Sequence, residues 1–244
     1  MNQSGRLRQM IDQLRANLES VTNRIAAAAK RSGRPADAAN LVAVTKRTPD
    51  AWAHGLVALG QHHLGENYPQ ELWKKAESLA DLPEIRWHAI GHMQSNKLKR
   101  TLPLVTMIHA VDSLDLLAAI GKLMALASRL ERVCLQVNMS GEASKHGWDQ
   151  ESILNDAEAI AGMITQFGIP VTGLMTMAAL GTDAESARPA FAGLRQTAEK
   201  LAARIGRPLP DLSMGMSGDF ESAIEEGATF VRVGSLLFEG LQAE

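Results

Sequence analysis

The sequence contains few cysteines and few aromatic residues, and it has no long apolar run. Among its 244 residues there is one cysteine, Cys134, so an intrachain disulfide is excluded and a reducing compartment is expected. The formal net charge of −2 gives no basic field of the kind that binds nucleic acid or an anionic membrane. The first residues lack a signal-peptide pattern, and the apolar-rich stretch "LLAAIGKLMALA" is interrupted by Lys122. We therefore expect a cytoplasmic protein whose partners include neither nucleic acid nor a membrane.

Glycine- and serine-rich linkers are also missing, so we expect residues 1–244 to form one domain. Residues 1–33 carry apolar side chains at helical spacing and predict a long amphipathic helix packed on the rest of the chain. Beyond it, short apolar runs alternate with helical patterns. The predicted strands are residues 41–45, 62–65, 85–91, 106–111, 133–139, 171–177, 211–216 and 230–234.

Strict alternation of strand and helix predicts a parallel sheet with helices outside it. Eight such units in a chain of this length are typical of a single α/β barrel of the (β/α)₈, TIM type. After the eighth strand only "SLLFEGLQAE" remains, which is short for a closing helix, and the N-terminal helix is expected to cover part of that gap. A doubly wound open sheet is the structural alternative, but the glycine-rich turn typical after its first strand is missing from "VTKRTPDAW".

The predicted strand ends are rich in Lys, His, Asn, Ser and Gly, whereas the strand bodies are apolar. A barrel has its active site at the carboxyl ends of its strands. Since side chains alternate along a strand, Lys46 shares a face with Val42 and Val44 and is expected at the top of the barrel interior. There it would be a candidate nucleophile for a carbonyl group. A lysine that merely ends a strand and extends into water is the alternative.

The last two strand ends resemble a phosphate site. Ser217 and Gly218 precede an acid-rich helical turn, while Gly234 and Ser235 combine close backbone approach with a hydroxyl. Barrels often bind phosphate with the loops after strands seven and eight. An ordinary helix cap at Ser217 and a tight turn at Gly234 are the alternatives.

Arg232 alternates with two valines and is expected to point into the barrel. A buried arginine needs an acceptor, which is either a ligand or a carboxylate from another strand. An inward arginine, an inward lysine and a phosphate-binding edge together are what pyridoxal 5′-phosphate requires.

Metal catalysis is the main rival interpretation, with ligands drawn from the histidines. Candidate ligands are His62, His63, Glu66, His88 and His92. Their spacing matches no strong zinc pattern, and adjacent strand residues such as His62 and His63 face opposite ways, so we expect no metal site. For the single tyrosine, Tyr68, an acid/base role and a packing role both stay open.

Motifs over nearly the whole chain resemble one known family. They are "LVAVTK", "LGENYPQE", "WHAIGHMQSNK", "VDS", "QVNMSGEASKHG", "GLMTM", "LSMGMSGDFESAIEEGATFVRVGS" and "LFEG". In these motifs the sequence closely resembles the pyridoxal 5′-phosphate homeostasis proteins (the YggS/PROSC family), which are related to the N-terminal barrel of alanine racemases. The resemblance implies that Lys46 holds the cofactor as an internal aldimine. It further implies that Ser217, Gly234 and Ser235 bind the phosphate, that Arg232 contacts the pyridine nitrogen, and that Asn67, His88 and Met175 surround the ring.

The resemblance also implies a function, which is to buffer and deliver the cofactor inside the cell. Transient partners would be apo-enzymes that receive it, and a monomer is expected. A racemase-like enzyme with weak activity is the alternative. The racemases take a tyrosine from an added C-terminal domain of a partner subunit, and no such domain is expected after the eighth predicted strand, so we expect no robust turnover. Around the lysine the sequence departs from the family pattern, with Thr45 before it and Arg47 after it.

Overall fold

The protein is a closed barrel of eight parallel strands that neighbour one another in chain order. The computed structural model describes residues 3–140, 146–179, 181 and 183–242. The strands are β1 (Asn40–Val44), β2 (His63–Glu66), β3 (Arg86–Ala89), β4 (Val105–Val111), β5 (Arg132–Gln136), β6 (Val171–Met175), β7 (Asp211–Met216) and β8 (Phe230–Val233). Within the described ranges, no helix has an apolar stretch that could span a lipid bilayer.

Helices lie on the outside of the barrel, where α1 precedes the first strand and the others connect successive strands. They are α1 (Gln3–Arg31), α2 (Asp50–Ala58), α3 (Pro69–Ser78), α4 (Leu98–Thr101), α5 (Leu114–Lys122), α6 (Gln150–Asn155), α7 (Ala157–Phe167), α8 (Ala184–Ile205) and α9 (Phe220–Glu225). Short 3₁₀ turns cover Ser95–Lys97, Met124–Leu126 and Ser235–Phe238. The predicted alternation and the barrel are therefore confirmed, and the open-sheet alternative is wrong.

Three predicted strands are too long at their carboxyl ends by two or three residues. The third ends at Ala89, the fifth at Gln136 and the sixth at Met175, whereas the apolar pattern continued to residues 91, 139 and 177. Beyond β5, Val137 makes only an isolated bridge to Trp148, so the chain turns back over the barrel mouth. An apolar run continues wherever side chains are buried, whether or not the backbone still pairs with a neighbouring strand.

Apolar side chains form two separate cores. The larger core lies between the strands and the surrounding helices. A smaller one fills the barrel interior and consists of Val42, Val44, Ile90, Met107, Ala110, Cys134, Met175 and Phe230. The interior also contains buried polar side chains, among them His88, His109, Gln136, Ser213 and Arg232. A small apolar core combined with many polar groups indicates that the barrel interior has a functional role in addition to stabilising the fold.

The long helix α1 covers the side of the barrel where β8 is followed only by a 3₁₀ turn. It buries Leu14, Val21 and Ile25 completely or almost completely. Asn17 Nδ2 donates to the carbonyls of Leu237 and Glu239, at 3.0 and 2.9 Å. Helix α1 therefore packs against the turn that ends the barrel, as the sequence predicted.

Candidate functional site

A cavity of about 530 Å³ opens at the carboxyl ends of the strands, where the fold predicts a site. Six of the eight residues expected around the cofactor line it. These are Lys46, Asn67, Ser217, Arg232, Gly234 and Ser235. They come from the ends of β1, β2, β7 and β8, so the closed barrel gathers residues that are up to 189 positions apart in sequence.

Lys46 lies two residues beyond the end of β1, above Val42 and Val44 of the inner core. Its side chain is exposed and lines the cavity. The next residue, Arg47, adopts a left-handed backbone with φ of 59°, which is uncommon for a residue other than glycine. The turn therefore bends sharply just after the lysine, and Arg47 itself does not line the cavity.

A buried ion pair supports this turn from below. Glu66 Oε1 accepts hydrogen bonds from Lys75 Nζ and from Thr45 Oγ1, each at 2.7 Å. Lys75 also donates to the Thr45 carbonyl, and both members of the pair are almost fully buried. The backbone next to Lys46 is thus held by charged groups, which helps to explain how Arg47 keeps its strained conformation.

The edge formed by β7 and β8 carries hydroxyl groups and glycines. The Gly234 N–H donates to Ser217 Oγ at 3.3 Å, and Ser235 is exposed where the 3₁₀ turn begins. A Cβ atom at Gly234 would lie 3.2 Å from the Val44 carbonyl oxygen, so glycine allows β8 to approach β1 closely at the mouth. Asp219 Oδ1 accepts from the Met216 N–H at 2.6 Å and shapes the loop that holds Ser217.

Arg232 is the buried cation of the site. Its Nη1 donates to Ser213 Oγ at 2.6 Å, and its Nη2 donates to the Thr176 carbonyl at 2.9 Å. Within the described ranges it makes no salt bridge, so the carboxylate partner left open by the sequence is not found there. Burial lowers the pKa of Arg232 to about 10, although the charge of Asp219 acts in the opposite direction. A buried guanidinium whose described partners are two neutral acceptors still has N–H groups to offer to a ligand.

Two of the expected residues, His88 and Met175, do not line the cavity. Met175 is fully buried in the inner core, and Met177, two residues further on, lines the cavity instead. His88 is also buried, between His63 and His109, with nitrogen–nitrogen distances of 2.8 Å on both sides. Both side chains face the barrel interior, but they lie one layer below the mouth.

Sequence reasoning missed several residues that line the cavity. Gln136 donates from Nε2 to the His146 carbonyl at 2.9 Å and fills the mouth beside β5. His92 and His146 stack with ring centroids 4.3 Å apart, and His92 Nδ1 lies 2.8 Å from Asp112 Oδ2. The clearest available signal was position, because Gln136 ends β5, while His92 and His146 lie in the segments that follow β3 and β5. Residues 141–145 of the motif between Gln136 and His146 lie outside the described residues.

The metal candidates from the sequence do not converge. His63 and His88 point into the barrel interior, whereas His92 lies at the mouth, and Glu66 is engaged with Lys75. In the described part of the chain, the group with metal-ligand chemistry is His92, Asp112 and His146, whose ligand atoms lie within 4.8 Å of one another. Their two rings are stacked nearly parallel, with an interplanar angle of 15°, and both turn Nδ1 toward Asp112 Oδ2, at 2.8 Å for His92 and 3.8 Å for His146. Tyr68 is 59% exposed at the rim and does not line the cavity.

The donor set fits an anionic carbonyl compound. Lys46 supplies a primary amine, the Ser217–Ser235 edge supplies hydroxyl and backbone donors, and Arg232 supplies a buried cation, all around one cavity. An amine of this kind reacts with an aldehyde or ketone, and such an edge binds phosphate. Fold and site together define a (β/α)₈ barrel with a small-molecule cavity at its mouth, whose amine, hydroxyl and cationic donors suit a phosphorylated carbonyl compound.

Comparison with curated proteins identifies the family. The pyridoxal phosphate homeostasis protein of Aquifex aeolicus is 38% identical over 91% of this chain and 95% of its own length. Those of Pseudomonas aeruginosa and Homo sapiens are 39% and 36% identical, and the alignments cover 91% of this chain and 93% and 84% of theirs. The chain belongs to the pyridoxal phosphate homeostasis protein family. No protein-family profile matches it.

Comparison with solved structures agrees with this family assignment. PipY of Synechococcus elongatus with PLP bound has a TM-score of 0.77 and 33% identity, and the match covers 92% of this chain and 99% of PipY. The form without PLP has a TM-score of 0.78 and 36% identity and covers 89% and 99% of the two chains. A viral arginine decarboxylase, at 13% identity and a TM-score of 0.69, shares the fold alone.

Proposed function

We propose that this protein binds pyridoxal 5′-phosphate in the cavity at the barrel mouth and serves as an intracellular store that delivers the cofactor to apo-enzymes. The observation that carries this proposal is the cavity itself, in which an exposed lysine amine, a hydroxyl-rich edge and a buried arginine meet, the arginine making no salt bridge among the described residues. Its relatives are named for pyridoxal phosphate homeostasis, and one solved relative has PLP bound.

In this proposal each lining residue has one role. When bound, the cofactor supplies an aldehyde that the Lys46 amine holds covalently. Ser217, Gly234 and Ser235 hold the phosphate through hydroxyl and backbone donors, and Arg232 donates to the pyridine nitrogen. Asn67 lines the wall beside β2. His88 and Met175 support the floor from the layer below and do not touch the ring.

The site suits a protein that binds and delivers the cofactor better than it suits a rapid PLP-dependent enzyme. A guanidinium that donates to the pyridine nitrogen keeps that nitrogen unprotonated, which weakens the electron sink that PLP enzymes depend on. A racemase-like enzyme stays the second candidate. Fast, cofactor-dependent racemisation of an amino acid by the loaded protein, measured by chiral chromatography, would contradict the carrier proposal, whereas return of activity to a PLP-depleted recipient enzyme would support it.

The first prediction concerns the lysine. We expect the protein loaded with PLP to show a visible absorbance band that persists through gel filtration, because the cofactor is covalently held. Lys46→Ala should abolish the persistent band. The matched control is Lys99→Ala, since Lys99 is exposed on α4 away from the cavity and its loss should leave the band unchanged. Persistence of the band in Lys46→Ala would show that another amine holds the cofactor.

A further inference from the structure

A line of hydrogen-bonded side chains runs through the barrel from its lower opening to Arg232. Along the line, His63 Nδ1 lies 2.8 Å from His88 Nε2, and His88 Nδ1 lies 2.8 Å from His109 Nε2. His109 Nδ1 then lies 2.6 Å from Ser213 Oγ, the atom that accepts from Arg232. Each member comes from a different strand, so only the closed barrel assembles the line.

The direction of these hydrogen bonds is set at the Arg232 end. A guanidinium can only donate, so one lone pair of Ser213 Oγ is used by Arg232. Ser213 is fully buried, and its hydroxyl hydrogen therefore needs an acceptor. Within the described ranges, the only other group bonded to Ser213 Oγ is His109 Nδ1. The hydroxyl must donate to that nitrogen, because the reverse arrangement would leave a buried hydroxyl hydrogen without a partner.

This direction propagates along the three histidines. When His109 Nδ1 accepts, neutral His109 carries its proton on Nε2 and donates to His88 Nδ1. His88 must then carry its proton on Nε2 and donate to His63 Nδ1. All three rings therefore share the Nε2–H tautomer, and the line ends at the lower opening, which is lined by His63, Arg86 and Glu131.

The surroundings keep the histidines neutral. Burial holds the pKa of His88 and of His109 well below the ordinary value, and the Arg232 charge adds to this effect at His109. Burial also lowers the pKa of His63, to about 4, with the Arg86 charge contributing. A charged ring would donate from both nitrogens and would break the order of the line.

We propose that His109 is a positioning residue for Arg232: it anchors the Ser213 hydroxyl, which in turn orients the remaining Arg232 N–H groups toward the cofactor ring. His88 contributes by accepting a hydrogen bond from His109 Nε2–H, and His63 accepts in turn from His88. This inference rests on the proposed function, because the group that Arg232 meets is the pyridine nitrogen of the cofactor. It adds to that function a polar support that reaches through the whole barrel.

The tautomers can be measured in the cofactor-free protein. Long-range ¹H–¹⁵N correlation spectra of protein labelled at the histidine nitrogens distinguish Nε2–H, Nδ1–H and charged rings. We expect the Nε2–H pattern for His63, His88 and His109 at neutral pH. An Nδ1–H or charged His109 would overturn the proposal, and this result does not depend on any variant folding.

Variants test the effect on the cofactor. His109→Leu removes the acceptor, and we expect PLP to bind about tenfold more weakly in an absorbance titration. His109→Asn keeps an acceptor oxygen near the position of Nδ1 and should recover most of the affinity. Ser222→Ala, which truncates a buried serine outside the line, should bind PLP as the unmodified protein does. Equal affinity in the two His109 variants would overturn the proposal.

The two proposals fail in different ways. If the purified protein does not bind PLP, the proposed function fails, while the tautomer pattern is still measured in the free protein. If PLP binds through Lys46 and His109 carries its proton on Nδ1, only the positioning role fails.

Discussion

At the scale of single residues, Lys75 and Glu66 place a buried ion pair under the turn that carries Lys46. Removing one partner of such a pair leaves an uncompensated buried charge, which typically costs about 3–5 kcal/mol. We therefore expect Lys75→Met to lower the free energy of unfolding by about 3 kcal/mol in urea or guanidinium denaturation. The same change frees the Thr45 carbonyl from Lys75, so the affinity for PLP should fall as well.

The double variant Lys75→Met/Glu66→Gln is the matched control. It removes both charges but keeps an acceptor for the Thr45 hydroxyl. More than half of the lost stability should return, because no unpaired charge remains buried. A loss below about 1 kcal/mol in the single variant would mean that water already screens the pair.

Strand alternation predicted that Lys46 and Arg232 share the barrel interior, and both line the cavity. Strand alternation could not predict how far below the barrel mouth each inward-facing side chain lies. His88 and Met175 have the expected facing but lie below the mouth, because depth depends on how far each strand is shifted against its neighbours. Register irregularities between β3 and β4 and between β5 and β6 alter these shifts, and no pattern within one strand encodes them.

At the scale of elements, Gly173 shows how tightly β6 and β7 are packed. A Cβ atom at Gly173 would lie 1.8 Å from the Asp211 carbonyl oxygen, the residue with which Gly173 is in register. We expect Gly173→Ala to destabilise the protein by about 3 kcal/mol in denaturant unfolding, since the clash is with backbone and cannot be relieved by a rotamer change.

Gly162 provides the opposite case for the same substitution. It is exposed in α7, and nothing lies within 4 Å of the Cβ it would gain. Gly162→Ala should therefore raise the free energy of unfolding by about 0.5–1 kcal/mol, the ordinary helix preference for alanine. Equal effects at the two positions would mean that the strands can move apart to admit a methyl group.

The elements themselves were largely predictable, because apolar periodicity reports the burial that forms them. The positions at which the strands end at the barrel mouth were less predictable. Gln136 is the last residue of β5 in the structure, but the apolar run continued past it, so its place in the cavity wall was hidden. Helix α1 was predicted from spacing alone, and its packing over the short final turn followed from the length of the last segment.

At the scale of the whole molecule, the neutral histidines inside the barrel link stability to pH. Their folded-state pKa values lie below the ordinary value of 6.5, and His63 is lowered to about 4. As pH falls below 6.5, these histidines bind protons in the unfolded chain but stay neutral in the folded barrel. The free energy of unfolding must therefore decrease as pH falls below 6.5, and each of the three groups adds to the slope.

Urea titrations between pH 8 and pH 5 measure this slope. His63→Gln removes one of the three groups and should make the slope near pH 5.5 shallower, by less than the limit of about 1.4 kcal/mol per pH unit that one proton allows. Above pH 7.5 the variant and the unmodified protein should have the same slope, since the histidine is neutral in both states there. An unchanged slope near pH 5.5 would show that His63 accepts a proton in the folded barrel.

Cys134 is the one cysteine of the chain, and it is fully buried in the inner core. Burial also raises the pKa of its thiol, so an alkylating reagent meets neither an accessible sulfur nor a thiolate while the barrel is closed. Modification must therefore wait for the strands to separate. At high reagent concentration, the labelling rate of this single atom becomes the opening rate of the barrel, and comparing it with and without cofactor measures how much longer a loaded molecule stays closed.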